Sequence, residues 1–240
     1  MRKFQLFLKR FGDIFISGLL ILILLPVLLI IALTIKLTSK GPAVFKQERA
    51  GKNGKIFKIY KFRTMLIPEQ RILPDGSQRS PKESITKVGR FLRKTSLDEL
   101  MQLFNVFNGT MSIVGPRPTL PYQVENYNEE QRRRLEMRPG VTGWAQVNGR
   151  NSLSWTEKIV YDVEYVDKFN IFFDIKILFK TVGVVFKKSD IEFTKSDNIN
   201  KKKEDVAVQE TPVVEDKKEE NPQESVVEGK KEETTEKEKE

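Results

Sequence analysis

Residues 14–35 read IFISGLLILILLPVLLIIALTI, 22 positions without a charge. At ~1.5 Å per residue such a run covers a hydrocarbon core of ~30 Å, so the pattern predicts a membrane helix. It is too long for the h-region of a cleavable leader, and no small-residue cleavage site follows it. Beyond it the period changes. Residues 43–63 hold two short runs of strand formers around Asn53-Gly54 and predict a β-hairpin, with Phe57, Ile59, Lys61 and Arg63 on one face of its second strand. Residues 66–84, with Pro68, Pro74, Pro81 and Asp75-Gly76, have no period and read as a connecting loop. Leu100, Leu103, Phe104 and Phe107 recur at helical spacing up to Asn108-Gly109, and the preceding TSLDE resembles a capping box with Thr95 or Ser96 as N-cap.

Three more helical patterns follow, over 121–137, 154–168 and 171–188. In the last, Lys176, Lys180 and Lys187 share a narrow arc while Phe172, Phe173, Ile175, Leu178, Phe179, Val182, Val185 and Phe186 fill much of the rest. That distribution predicts an amphipathic helix in the bilayer interface in preference to one docked on the core. From Ser196 onward there is no aromatic residue, and Lys, Glu, Val, Thr and Pro dominate. Such a segment cannot bury enough apolar surface to offset its ordering entropy, so 196–240 is expected to be a disordered charged tail.

Charge refines the membrane segment. Arg2, Lys3, Lys9 and Arg10 precede the apolar run, and Lys36, Lys40, Lys46, Arg49, Lys52 and Lys55 follow it, so both flanks favour the cytoplasmic face. Pro26, near the middle, removes a backbone hydrogen bond and bends a helix. A re-entrant hairpin and a kinked single span both fit these facts. The formal charge of +9 is uneven: the tail has 9 Lys and 15 acidic residues, −6 in all, which leaves +15 on the first 195 residues. An excess of that size suits an anionic partner. The long apolar run turns the choice toward lipid and away from nucleic acid, since the aromatic residues are not interleaved with a basic platform.

The chain has no Cys and no His, which excludes disulfides, thiolate chemistry, histidine general bases and His-ligated zinc. Catalysis must then use carboxylate, lysine, hydroxyl or phenol, with any metal bound through oxygen. Asp98-Glu99 is the candidate. Acids there can be mere capping residues, but Arg90, Arg93 and Lys94 precede the pair and Gly115-Pro116-Arg117-Pro118 follows, a turn that holds one arginine between two prolines. Carboxylates ringed by cations suggest phosphate chemistry with a divalent metal. Residues 138–151, RPGVTGWAQVNGRN, add glycines at 140, 143 and 149 for close approach to a ligand, the Trp144 plane and the Arg150 cation. The cluster Arg132, Arg133 and Arg134 reads as a solvated helix face, and Asp174 as either a first-turn acid or an acid with a role in the site.

The pattern TSLDEL–QLFNV–G–MS–VGPRP, with YKFRTM at 60–65 and RPGVTGWAQVNGRN at 138–151, closely resembles the bacterial sugar transferases of the monotopic phosphoglycosyl transferase family, from about Lys9 to Lys188. The resemblance implies an α+β, mainly helical fold: a basic flank and re-entrant membrane helix over 1–40, broken near Pro26, then a cytoplasmic-face catalytic domain over 41–190 in the bacterial inner membrane. It implies transfer of a phospho-sugar from a UDP-sugar to undecaprenyl phosphate, with release of UMP, as an opening step of surface glycan synthesis. Asp98 would be the nucleophile that forms a covalent aspartyl phospho-sugar, and Glu99 a metal ligand or base. Mg²⁺ (or Mn²⁺) would be held partly by Asp98. Lys61 and Arg63 would line the site, and Arg93, Arg117 and Arg150 would bind substrate phosphate. Membrane lipids are further partners, and a homo-oligomer stays open. Leu25, Met101 and Thr110 depart from the usual serine, proline and acid, the last removing a charge near the expected metal. The competing class is a non-catalytic membrane adaptor, which would tolerate loss of the Asp98 carboxylate.

Overall fold

The apolar run folds as α1 (Arg2–Thr38), one helix of 37 residues that passes through Pro26. It is long and apolar enough to cross a membrane. The structure, a computed structural model, describes residues 2–186 apart from 74, 150 and 151, so Arg150, Lys187, Lys188 and the 196–240 tail lie outside the described residues. One stripe of α1 faces the rest of the protein along most of its length: Asp13, Ser17, Leu28, Ile31 and Ile35 are buried. The opposite stripe, including Phe7, Phe11, Leu22 and Leu29, is exposed. These sets recur at the helical period on opposite sides.

Both ends of α1 are fastened to the same body. Lys9 Nζ donates to Val114 O at 2.9 Å and pairs with Asp174 at 2.6 Å. Arg10 donates to Val106 O and Phe107 O at 2.7 and 2.9 Å, and Asp13 Oδ1 accepts from the Ile113 amide. At the other end Arg63 donates to Lys40 O, to Ser39 O at 3.0 Å and to Ser39 Oγ at 2.8 Å. Lys9 and Arg10, which in the sequence mark a basic flank, therefore act as internal fasteners.

The hairpin forms as expected. Strands β1 (Val44–Ala50) and β2 (Ile56–Phe62) pair antiparallel, Val44 opposite Phe62, across a turn in which Asn53 and Gly54 both take positive φ. The loop over 66–84 contains a short helical turn, Pro68–Arg71. Helix α2 (Lys87–Thr95) follows, capped by the Thr86 hydroxyl, and then α3 (Gln102–Phe107). Phe62 and Leu92 join Leu28, Ile31 and Ile35 of α1 in one apolar cluster, with Leu97, Leu100 and Phe104 against it. Helix α1 and the segment around Asp98 and Glu99 thus share a core.

The second half is built on a short parallel pair, β3 (Ser112–Val114) and β4 (Gly140–Thr142). A single helix expected over 121–137 is instead α4 (Pro121–Glu125), α5 (Glu129–Arg132) and the tight turn Arg133–Glu136. The chain breaks because Asn128 caps a new helix, its side chain accepting from Gln131 N while its backbone N–H donates to Gln131 Oε1. After α6 (Trp144–Asn148) comes α7 (Trp155–Lys168), which starts in a full capping box between Ser154 and Glu157. Helix α8 (Ile171–Phe186), expected to lie in the bilayer interface, docks on the core along one face. Asp174 and Ile177 are buried, and Phe173 packs on the cluster of Val114, Met137, Tyr165 and Val166. A second face carries Phe172, Ile175, Phe179 and Val182 into the open. With 100° between successive residues one helix can serve both surfaces.

Candidate active site

The acidic pair sits on a turn of its own. Helix α2 stops at Ser96, which takes φ 57° and returns its amide to Arg93 O and Leu92 O. The segment Leu97–Met101 then makes a 3₁₀ turn before α3 begins at Gln102. The expected N-cap is therefore corrected: Ser96 makes no side-chain cap, and the Thr95 hydroxyl donates back to Phe91 O at 2.9 Å. A chain arriving from a left-handed helix end does not present the extended entry that a serine cap needs. The tight turn projects Asp98 and Glu99 toward β2 and toward the proline-arginine-proline turn.

There the two carboxylates take different partners. Glu99 Oε1 accepts from Lys61 Nζ at 2.8 Å and from Arg117 Nη2 at 3.3 Å. Burial would raise the Glu99 pKa, but the facing charges of Arg117 and Lys61 outweigh it and hold the group down at about 2. Asp98 makes no salt bridge among the described residues. Its pKa is raised, first by burial and then by repulsion from Glu99, against weaker opposition from Lys61 and Arg93. Arg93 is held in place by a bond from its Nε to Thr64 Oγ1 at 2.9 Å. One carboxylate is thus neutralised by ion pairs, while its neighbour is uncommitted and more basic than usual.

The structure brings Lys61, Arg93 and Arg117 to Asp98 and Glu99, but not Arg63. Arg63 is 6% exposed and clamps the end of α1. Pro26 lies in α1 on its exposed side. Thr110 is bonded to Asn105 and Asn108 past the C-terminal end of α3, whereas the acids precede that helix. The glycines at 140 and 143 approach other backbone: a Cβ at either would collide with Gly115. Trp144 is also taken, since its Nε1 donates to Glu164 at 2.9 Å and Lys180 lies 4.6 Å from the ring centroid.

Three supporting residues escaped the sequence reading. Asn105 accepts from Tyr60 N at 2.9 Å and donates to Lys58 O at 2.8 Å, tying α3 to β2. A lone amide inside the apolar run LFNVF was the available signal. Arg134, read as part of a solvated face, is 3% exposed and pairs with buried Asp162, whose pKa burial raises to about 6 against the pull of Arg134. A third arginine in a basic run carries no mark of burial. Asp98, with Glu99 beside it, could offer carboxylate oxygen to a metal only alongside donors from a substrate, since no group of three or more His, Cys, Asp or Glu converges among the described residues.

The family model described as "Bacterial sugar transferase" matches residues 4–188. The chain is 46% identical over 184 residues to the UDP-glucose:undecaprenyl-phosphate glucose-1-phosphate transferase of Escherichia coli K12, an alignment that covers 73% of this chain and 39% of the relative. It is 44% identical over 178 residues to the uncharacterized sugar transferase EpsL of Bacillus subtilis 168, covering 73% of this chain and 85% of that protein. It is 42% identical over 193 residues to the undecaprenyl-phosphate galactose phosphotransferase of Salmonella typhimurium LT2, covering 74% and 40%. The chain therefore spans about two fifths of the E. coli and Salmonella relatives and most of the Bacillus one.

Proposed function

Because this chain belongs to the bacterial sugar transferase family, we propose that it is an enzyme that moves a phospho-sugar from a UDP-sugar to undecaprenyl phosphate. The observation that carries the reading is the asymmetry of the pair: Glu99 is committed to Lys61 and Arg117, while Asp98 is uncommitted and has a raised pKa. An Asp98 oxygen attacks the phosphorus that bears the sugar. The bond from that phosphorus to the bridging oxygen breaks, UMP departs with the electron pair, and an acyl phosphate to the sugar remains on Asp98. An oxygen of the lipid phosphate then attacks the same phosphorus, the Asp98 carboxylate is released, and the sugar leaves on a lipid diphosphate. Lys61, Arg93 and Arg117 supply positive charge where two anions must meet.

The donor set suits Mg²⁺ or Mn²⁺, which commonly use one or two carboxylates and complete their shell with substrate phosphates. Asp98, with Glu99 beside it, would hold the ion, and the ion would neutralise diphosphate charge. In the same reading α1 is a re-entrant anchor in the bacterial inner membrane, bent at Pro26, with the catalytic region at the cytoplasmic face. The reading is supported by the fastening of residues near both ends of α1, Lys9 at one and Ser39 at the other, to the rest of the protein. The exposed phenylalanines of α8 supply a second apolar contact.

The test uses the protein in detergent with Mg²⁺ and a panel of UDP-sugars, without lipid acceptor. Stoichiometric UMP and a phospho-sugar mass increment are expected, and both vanish in Asp98→Asn, a loss on the order of 10⁴-fold in rate. No UMP and no increment with any donor would return the chain to a non-catalytic membrane adaptor.

A further inference from the structure

Arg134 gathers three elements at one guanidinium. Its Nη2 donates to Arg117 O at 2.9 Å and also to Asp162 of α7, and its Nη1 donates to the Tyr127 hydroxyl at 2.7 Å. The rings of Tyr127 and Trp155 flank it, with centroids 5.7 and 5.5 Å away. Arg134 and Asp162 are 3% and 1% exposed, so neither can meet substrate. The Arg117 side chain above them is 52% exposed and reaches Glu99. Pro116 and Pro118 fix φ on either side of Arg117, and Gly115 is wedged against Gly140 and Gly143. Pro118 also restricts Arg117 to an extended backbone, the Pro116 carbonyl accepts from the Gly140 amide at 2.8 Å, and Arg134 holds the Arg117 carbonyl in the same turn.

We propose that the buried Arg134–Asp162 pair is a positioning unit that aims the Arg117 guanidinium at the donor diphosphate; this rests on the reading of the site as a sugar transferase. A buried ion pair is a weak source of stability, since apolar side chains of similar volume serve as well or better. What apolar side chains cannot do is bond a carbonyl. Asp162 orients Arg134, Arg134 fixes Arg117 O, and Arg117 meets Glu99 and the incoming phosphate. Lysine in place of Arg134 has no planar fork to serve Tyr127, Asp162 and the carbonyl together.

The decisive variant is the double replacement Arg134→Met with Asp162→Leu, which leaves no stranded charge. The expected result is a thermal midpoint close to that of the parent, kcat for UMP release lower by about 10- to 100-fold with KM for the UDP-sugar changed less, and faster amide exchange in 113–120. Arg134→Lys should fall between parent and double variant in kcat. Parent-like turnover and parent-like exchange in a folded double variant would overturn the proposal and leave the transferase reading standing. If the parent releases no UMP from any donor, the transferase reading fails, and the exchange at 113–120 then decides alone whether Arg134 and Asp162 fix the turn.

Discussion

Glu99 and Asp174 make an instructive pair. Each is a carboxylate bound to a lysine, Glu99 to Lys61 at 2.8 Å and Asp174 to Lys9 at 2.6 Å, and in the sequence each looks like an acid near the start of a helix. Their surroundings differ. The Lys61 and Glu99 side chains are 23% and 22% exposed, against 9% and 12% for Lys9 and Asp174. At Glu99 two cations outweigh burial and the pKa falls, whereas at Asp174 burial outweighs Lys9 and the pKa rises. Tyr165 also closes over Asp174, its hydroxyl donating to Oδ1 at 2.7 Å. One pair therefore opens onto a neighbouring free carboxylate, and the other seals α1 to α8. Exposure and the state of the adjacent residue, more than the ion pair itself, separate the candidate site from a fastener.

The largest effect that would test this contrast is on stability. Asp174→Ala strands the buried Lys9 ammonium and should cost about 3–5 kcal/mol, read from the denaturation midpoint in detergent, while Asp98→Asn should leave that midpoint nearly unmoved. Equal losses would erase the distinction. Next is Lys61→Met, which removes a charge-assisted bond to Glu99 and one of the charges that restrain Asp98. UMP release at neutral pH should fall about tenfold. Under the proposed mechanism Asp98 must be ionised to attack, and its pKa is raised, so activity should be lost as pH falls through that value. Without Lys61 the acid limb of kcat/KM should move to higher pH. The smallest effect is the opposite shift in Glu99→Gln. With the repulsive neighbour gone, the Asp98 pKa drops and the acid limb moves down, by about one pH unit or less. Limbs that moved the same way in both variants would exclude Asp98 as the titrating group.

Much of the local structure was legible because its signals are local. Asn53-Gly54 can take positive φ in succession, and Ser154 with Glu157 closes a capping box within four residues. The acidic pair stood out through the cations on either side of it, and Lys61, Arg93 and Arg117 do converge there. The misread positions are those whose role depends on distant partners. Thr95 and Ser96 carry good cap chemistry, yet the left-handed turn that ends α2 removes them from that duty. Arg63 is two residues from Lys61 and by alternation shares its face, but the strand ends at Phe62 and Arg63 turns to the end of α1.

Side-chain pattern alone was enough for the long apolar helix, the hairpin and the chemistry on offer: a run of uncharged residues, a hairpin turn, and a carboxylate pair in a chain without histidine or cysteine. These follow from side-chain identity over a few residues, where backbone preference and apolar period act directly. Which charges are free follows from contacts in three dimensions. Lys9 and Arg134 are buried by contacts more than 25 positions away. Lys176 and Lys180 lie over Trp144, and Asp98 is left uncommitted because Lys61 and Arg117 both meet Glu99. Coulomb forces and desolvation depend on distance in space, and a one-dimensional pattern does not fix that distance.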